Sequence, residues 1–234
     1  MIKKIKRKLN QLNVMLIRRF GYLKIRVKLD TEWYGSNYGG FFVCPELLNN
    51  DSIIYSFGIG EDISFDRTII QNHDCTVFGF DPTPKSINWI NSQNLPVKFH
   101  FLDFGISNKS GFIDFYLPKN PEYVSGSIIC HDELNEKVIV QMKAFNDIIY
   151  ELEHRRIDVL KMDIEGSEYD VIDDVLNAQV LIGQILIEFH DRFVENGRRK
   201  TQQAIKKLKT HGYEIFSISE TLDEISFVNK KILK

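Results

Sequence analysis

Apolar and polar positions along this chain follow two alternating periods. Compact apolar runs of strand length recur between stretches whose apolar residues fall three and four apart, as on a helix face. From Ser52 onward the runs predict strands at Ile53–Phe57, Thr76–Phe80, Val97–Leu102, Ile157–Met162 and Ile185–Phe189. Helical spacing predicts helices over Ile63–Asn72, Lys85–Ser92, Ala144–Leu152, Glu168–Leu176 and the basic segment Arg199–Lys209. Phe112–Leu117 alternates less cleanly and reads as a small hairpin or an extended insertion. Tyr213–Ile218 and Glu224–Val228, joined by a short loop, read as a closing antiparallel pair. Strands separated by helices of this length imply an α/β, Rossmann-like fold with a doubly wound, mostly parallel sheet.

The charge pattern divides the chain. Residues 1–30 hold ten Lys/Arg and one acid, Asp30, whereas the rest carries a net charge of −11. Within MIKKIKRKLNQLNVMLIRRF, apolar residues recur at helical spacing among the bases, predicting an amphipathic helix that docks on the body or contacts an anionic membrane surface. It lacks the uninterrupted apolar core and small-residue cleavage site of a secretory signal. We therefore expect a basic N-terminal arm with a helical or loop extension over residues 1–50 and the main domain over residues 51–234. The longest apolar stretch, Val180 to Phe189, is broken by Gln184 and is too short to span a bilayer. Three widely spaced cysteines, Cys44, Cys75 and Cys130, fit buried thiols in a reducing, cytoplasmic setting; peripheral contact at the inner face of the membrane, through the basic arm, is the lesser alternative. The acidic body has no interleaving of bases and aromatics, so no nucleic-acid partner is expected.

In a doubly wound sheet, ligands sit beyond the carboxyl ends of the strands near the point where strand order reverses. That rule selects Gly58-Ile59-Gly60-Glu61-Asp62, Asp81, Asp103, Asp163 and the segment Glu188 to Asp191. Gly58 and Gly60, following Phe57, let the backbone approach a ligand. Glu61 and Asp62 would repel a pyrophosphate at the same helix start, and Ile63 stands where a dinucleotide fingerprint has Gly or Ala. A cofactor carrying an ammonium and a sulfonium suits the turn better. Asp81, followed by Pro82, can accept hydrogen bonds from both vicinal hydroxyls of a ribose.

The stretch Leu160-Lys161-Met162-Asp163-Ile164-Glu165-Gly166-Ser167-Glu168 resembles the fourth-strand motif of the FkbM-type S-adenosylmethionine-dependent methyltransferases. Tyr55-Ser56-Phe57-Gly58-Ile59-Gly60-Glu61-Asp62, Phe78-Gly79-Phe80-Asp81-Pro82 and Ile187-Glu188-Phe189-His190 are similar to the same family, closer still to a methyltransferase-like branch of it. The likeness covers roughly residues 50–230. It implies a class I methyltransferase fold and S-adenosylmethionine held by Phe57, Gly58, Gly60, Glu61, Asp62, Asp81, Pro82, Asp103, Phe104 and Asp163. Many class I methyltransferases carry an acid two positions before the first motif glycine. This chain has Ser56 there, which leaves the cofactor's amino group to Glu61, Asp62 or backbone carbonyls.

O-methylation needs the acceptor proton removed as the new bond forms. His190, beyond the fifth strand, is the candidate base, with an ordinary pKa of about 6.5 suited to neutral pH; Asp163 is the second candidate catalytic residue. Asp163 and Glu188, with Glu165 or Asp191, could hold Mg²⁺, and Lys161 could anchor these carboxylates. Alternatively, Asp163 and Glu165 cap the following helix and Glu188 pairs with Lys161. Ser125-Gly126-Ser127 and the segment from His131 to Glu136 could form an acceptor wall. The leading expectation is an O-methyltransferase acting on a sugar, glycan or glycosylated small molecule. A nicotinamide-dependent oxidoreductase and a non-catalytic binding relative are the alternatives.

Overall fold

A computed structural model describes residues 21–118 and 134–233 of the protein. The amphipathic helix expected at residues 1–20 lies outside these residues, as do Ser125-Gly126-Ser127 and most of the expected acceptor wall.

Seven strands form the central sheet: β3 (Ile53–Phe57), β4 (Thr76–Phe80), β5 (Phe99–Leu102), β9 (Arg156–Met162), β10 (Leu181–Glu188), β11 (Tyr213–Ile218) and β12 (Glu224–Asn229). Their spatial order is β11-β12-β10-β9-β3-β4-β5. β5, β4, β3, β9 and β10 are mutually parallel, and β12 runs against both β10 and β11. The expected class I methyltransferase fold is borne out, including its closing antiparallel pair. The order reverses between β3 and β9, and this reversal places the site.

Both faces of the sheet are covered, which explains near-continuous apolar runs in place of strict alternation. Phe57, Leu160, Ile185 and Phe227 point into one core cluster, and Ile54, Val159, Leu186 and Val228 point into another. The helices are α1 (Ser64–His73), α2 (Pro84–Asn91), α3 (Phe145–Leu152), α4 (Glu168–Asn177) and α5 (Gly197–Thr210). α1 ends on Asp74 in the left-handed region, φ 51°. Pro84 starts α2, where the fixed φ and missing N–H cost nothing, after Thr83, whose side chain accepts from Ser86 N. Among the described residues no helix is long and apolar enough to cross a membrane.

Three expectations are corrected. β5 begins at Phe99, two residues late, because a turn closes from Phe99 N to Pro96 O and leaves Val97 95% exposed. β10 begins at Leu181, ahead of Gln184, whose amide is fully buried. Its Oε1 accepts from Cys44 N at 2.9 Å and its Nε2 donates to Cys44 O at 3.2 Å, so the break in the apolar run is a satisfied polar joint. The extension before residue 51 contains a hairpin of β1 (Glu32–Tyr34) and β2 (Phe41–Val43), with Tyr34, Phe41 and Val43 in the same core cluster as Ile54.

The insertion predicted at Phe112–Leu117 is β7 (Gly111–Pro118), antiparallel to β8 (Leu134–Ala144). With β6 (Gly105–Ser107) on the other side of β8, they make a separate three-stranded sheet beside the strand ends.

Candidate active site

A cleft of about 230 Å³ opens at the carboxyl ends of β3, β4 and β9, at the reversal of strand order. Its floor is the turn after β3. Gly58 and Gly60 both adopt positive φ, 75° and 55°, which lets the turn fold back over the strand ends. Gly58 N donates to Phe80 O, and Asp163 N donates to Phe57 O, so the turn is tied to strands on both sides.

Asp81 locks the same turn from the end of β4. Its Oδ2 accepts from Gly60 N at 2.9 Å, and its Oδ1 accepts from Thr83 N at 2.9 Å and Thr83 Oγ1 at 2.7 Å. A carboxylate offers about four lone-pair positions. At least three are taken, and Ser86 also acts on this carboxyl, so without rearrangement Asp81 has room for at most one ribose hydroxyl, where the sequence suggested two. Burial pushes its carboxyl up, with the Thr83 and Gly60 hydrogen bonds opposing.

Phe57, Gly58, Gly60, Glu61, Asp62, Asp81, Pro82 and Asp163 all border the cleft. Asp103 and Phe104 do not. Asp103 is exposed, and Phe104 is buried against Phe80 and under the Lys143 ammonium; the chain reaches the cleft only at Gly105 and Ile106. Glu61 is paired with Lys85 at 3.1 Å. Asp62 accepts from Ser36 Oγ at 2.6 Å and Ser64 N at 2.7 Å; burial raises its pKa, but these hydrogen bonds prevail and lower it. Both acids named for an amino group are thus already engaged in holding the turn and α1.

Sequence reasoning missed the other walls. Tyr38 and Gly39, from the β1–β2 loop, close one side, and Phe115 and Met142, from β7 and β8, close another. The glycines and Asn in Gly35-Ser36-Asn37-Tyr38-Gly39-Gly40, between aromatic segments, are the hairpin signal that could have found the first wall.

Lys161 does not anchor the carboxylates at the strand ends. Its Nζ lies 3.4 Å from Gly58 O and 5.4 Å from the centre of the Phe41 ring, and it is 3% exposed. It borders the cleft, and its charge acts on Asp62 and on Asp66, a fully buried acid of α1 adjacent to Ser56. Asp66 stands beside position 56 but does not border the cleft. Ser56 Oγ and Asp66 Oδ1 both lack a hydrogen bond of ordinary geometry.

Burial pushes the Asp66 carboxyl up to about 6, against the opposing charge of Lys161. An unfolded Asp titrates near about 3.9, so the folded state binds this proton more tightly. The resulting stabilisation is full below about pH 4 and is lost as pH rises through about 6. Asp66→Asn removes this dependence. Between pH 7.5 and pH 4.5, urea melts are expected to shift the stability difference by about 2 kcal/mol in favour of the wild type; an unchanged difference would place Asp66 in contact with water.

Beyond β9 and β10 the acids converge on His190. Its Nδ1 is hydrogen-bonded to Glu168 Oε1, at the start of α4. Its Nε2 stands 3.4 Å from Glu165 Oε2, 3.4 Å from Glu188 Oε1 and 3.7 Å from Asp163 Oδ1. Asp163 and Glu165 border the cleft, whereas His190, 2% exposed, lies behind them and Glu188 lies outside its lining. Burial lowers the imidazole, but the Glu168 hydrogen bond and the charges of Glu168, Glu165 and Asp163 raise it to about 10. Burial and the Asp163 charge raise Glu188. This corrects the sequence reading of His190 as a free base at the cleft wall: carboxylates shield it, and without a competing cation it holds its proton at neutral pH.

Ser167, the residue that precedes α4, makes no side-chain cap. Glu188 does not pair with Lys161; its other neighbour is Arg192, at 3.9 Å.

The profile of the methyltransferase FkbM domain matches residues 48–215. Among curated sequences, the probable methyltransferase-like protein 24 of Homo sapiens is 29% identical over 152 residues, 64% of this chain and 36% of that protein. The hexuronic acid methyltransferase AglP of Haloferax volcanii is 24% identical over 147 residues, covering 62% of this chain and 59% of that one. The chain thus spans about a third of the length of the human relative and about three fifths of the archaeal one. A crystal structure of methyltransferase FkbM from Methylobacillus flagellatus superposes with a TM-score of 0.48 at 12% identity, over 77% of this chain and 44% of that one. With the domain profile spanning most of the seven-stranded sheet and every strand end that borders the cleft, the chain belongs to the FkbM methyltransferase domain family.

Proposed function

We propose that this chain is an S-adenosylmethionine-dependent O-methyltransferase that modifies a hydroxyl of a sugar, a glycan or a glycosylated small molecule. One observation carries the reading: the Gly58–Gly60 turn and Asp81 share a cleft with Asp163 and Glu165 at the reversal of strand order.

The donor set fits an adenosyl group joined to an amino acid. Ile106, Phe115 and Met142 supply an apolar wall for a base, Asp81 an acceptor for a ribose hydroxyl, and the glycine turn open backbone for the amino-acid part. S-adenosylmethionine supplies the electrophilic methyl group. The chain's own residues must seat the acceptor, exclude water and take up its proton. Asp163 and Glu165, the two carboxylates of this cluster that border the cleft, are the residues assigned to receive it. His190 and Glu168 behind them fix their position. Divalent-metal assistance through Asp163 and Glu188 is part of the same reading. A sugar acceptor draws support from the name of the Haloferax volcanii relative.

Calorimetric titration with S-adenosylhomocysteine, run beside NAD, tests the cofactor class. Saturable binding of the first alone is the expected result, followed by mass-spectrometric detection of methyl transfer to uronic and neutral sugars. His190→Ala should keep the binding and lose turnover. NAD binding would instead point to the oxidoreductase, and binding of neither to a non-catalytic relative.

A further inference from the structure

We propose that His190 Nε2, Asp163 and Glu165 form a binding site for one divalent cation with mixed nitrogen and oxygen ligands, such as Mn²⁺ or Zn²⁺, with Glu188 at its edge. Binding stands on the geometry alone. Any role for the cation in methyl transfer rests on the function proposed above.

One ligand atom from each of Asp163, Glu165 and His190 lies within 4.8 Å of the others. The spacing fits a coordination shell and is wider than that of hydrogen bonds. Hydrogen-bonded N and O atoms settle at about 2.7–3.2 Å. Two ligand atoms each about 2.1 Å from a cation, at tetrahedral angles, stand about 3.4 Å apart. Nε2 meets Glu165 and Glu188 at 3.4 Å and Asp163 at 3.7 Å.

The imidazole gives an independent indication. His190 is 2% exposed, and its Nε2 faces three carboxylates without approaching any to hydrogen-bonding distance. Its Nδ1 is held by Glu168, which has no exposed surface and whose second oxygen lacks a partner among the described residues. A carboxylate on one ring nitrogen, leaving the other directed at acidic ligands, is the arrangement that orients metal-binding histidines. Glu168 is thus a positioning residue that the sequence did not single out.

The donor set also selects the cation. Mg²⁺ favours oxygen and water, whereas an imidazole nitrogen suits first-row transition ions and Zn²⁺. Asp163 and Glu165 border the cleft, so the cation would lie at its rim, where its charge would favour the ionised form of an acceptor hydroxyl.

The test uses the full chain after chelator treatment, titrated with Mn²⁺ by electron paramagnetic resonance and with Zn²⁺ by calorimetry, with Mg²⁺ in parallel. One Mn²⁺ or Zn²⁺ per chain is expected, with Mg²⁺ weaker. His190→Ala and Glu165→Gln should abolish that binding, and Glu168→Gln should weaken it about 10- to 100-fold. Circular dichroism checks folding, and Glu165→Gln, at a partly exposed position, serves if His190→Ala does not fold. No stoichiometric binding, or binding unchanged in folded variants, would overturn the site. Titration of metal-free protein with S-adenosylhomocysteine reports separately on the methyltransferase reading.

Discussion

Gly58→Ala is expected to cost at least about 3 kcal/mol of stability and to abolish S-adenosylhomocysteine binding. Gly58 adopts φ 75°, where any residue with a Cβ is strained, and an added Cβ would stand 1.7 Å from the carbonyl oxygen of Asp163. That oxygen is backbone, fixed where β9 pairs with β3, so no rotamer change relieves the contact. Either the turn lifts from the sheet or the end of β9 moves away from it. The first opens the cleft floor, and the second displaces Asp163. Urea melts and calorimetry on the same preparation read both effects. A variant that melts and binds like the wild type would mean that the turn does not close on β9.

Much of this site was legible in the sequence because strand ends are legible. The apolar runs at Ile53–Phe57 and Thr76–Phe80 stop at the observed residues, since a buried strand must end where the chain turns polar or flexible, at Gly58 and Asp81. Asp163 and Glu188 were correctly placed at the ends of neighbouring strands. What failed needed tertiary information. Asp103 follows β5 as Asp81 follows β4, yet it faces solvent because the chain turns at once into β6. Tyr38 reaches the cleft from a hairpin whose strands are only three residues long, too short for periodicity to show.

Lys161 shares a face with Asp163 by strand alternation and borders the same cleft, but the partners of its ammonium are Gly58 O and the charge of the buried Asp66. Glu168 looks like an ordinary first-turn acid of α4. Only the fold brings it against His190, 22 positions later, and turns it into a buried partner of that ring. His190 itself was correctly placed beyond β10, but the ring of carboxylates that changes its chemistry comes from two segments, Asp163 to Glu168 and the end of β10.

Asp81→Ala is expected to weaken S-adenosylhomocysteine binding by at least about 100-fold, the loss of about 3 kcal/mol. The side chain is 5% exposed and accepts from Gly60 N, Thr83 N and Thr83 Oγ1. Truncation strands two backbone donors and a hydroxyl at the cleft floor, and unsatisfied buried groups cost about 1–3 kcal/mol each. Stability should therefore fall together with affinity, so lost binding alone would not prove a ribose contact. A ligand change separates the two roles. If the remaining lone pair of Asp81 takes a ribose hydroxyl, the wild type should prefer S-adenosylhomocysteine over its 2′- or its 3′-deoxy analogue, and Asp81→Ala should lose that preference. A purely structural Asp81 would weaken parent and analogues alike and keep their ratio. Equal affinity of wild type and Asp81→Ala for the parent ligand would remove Asp81 from the cofactor site altogether.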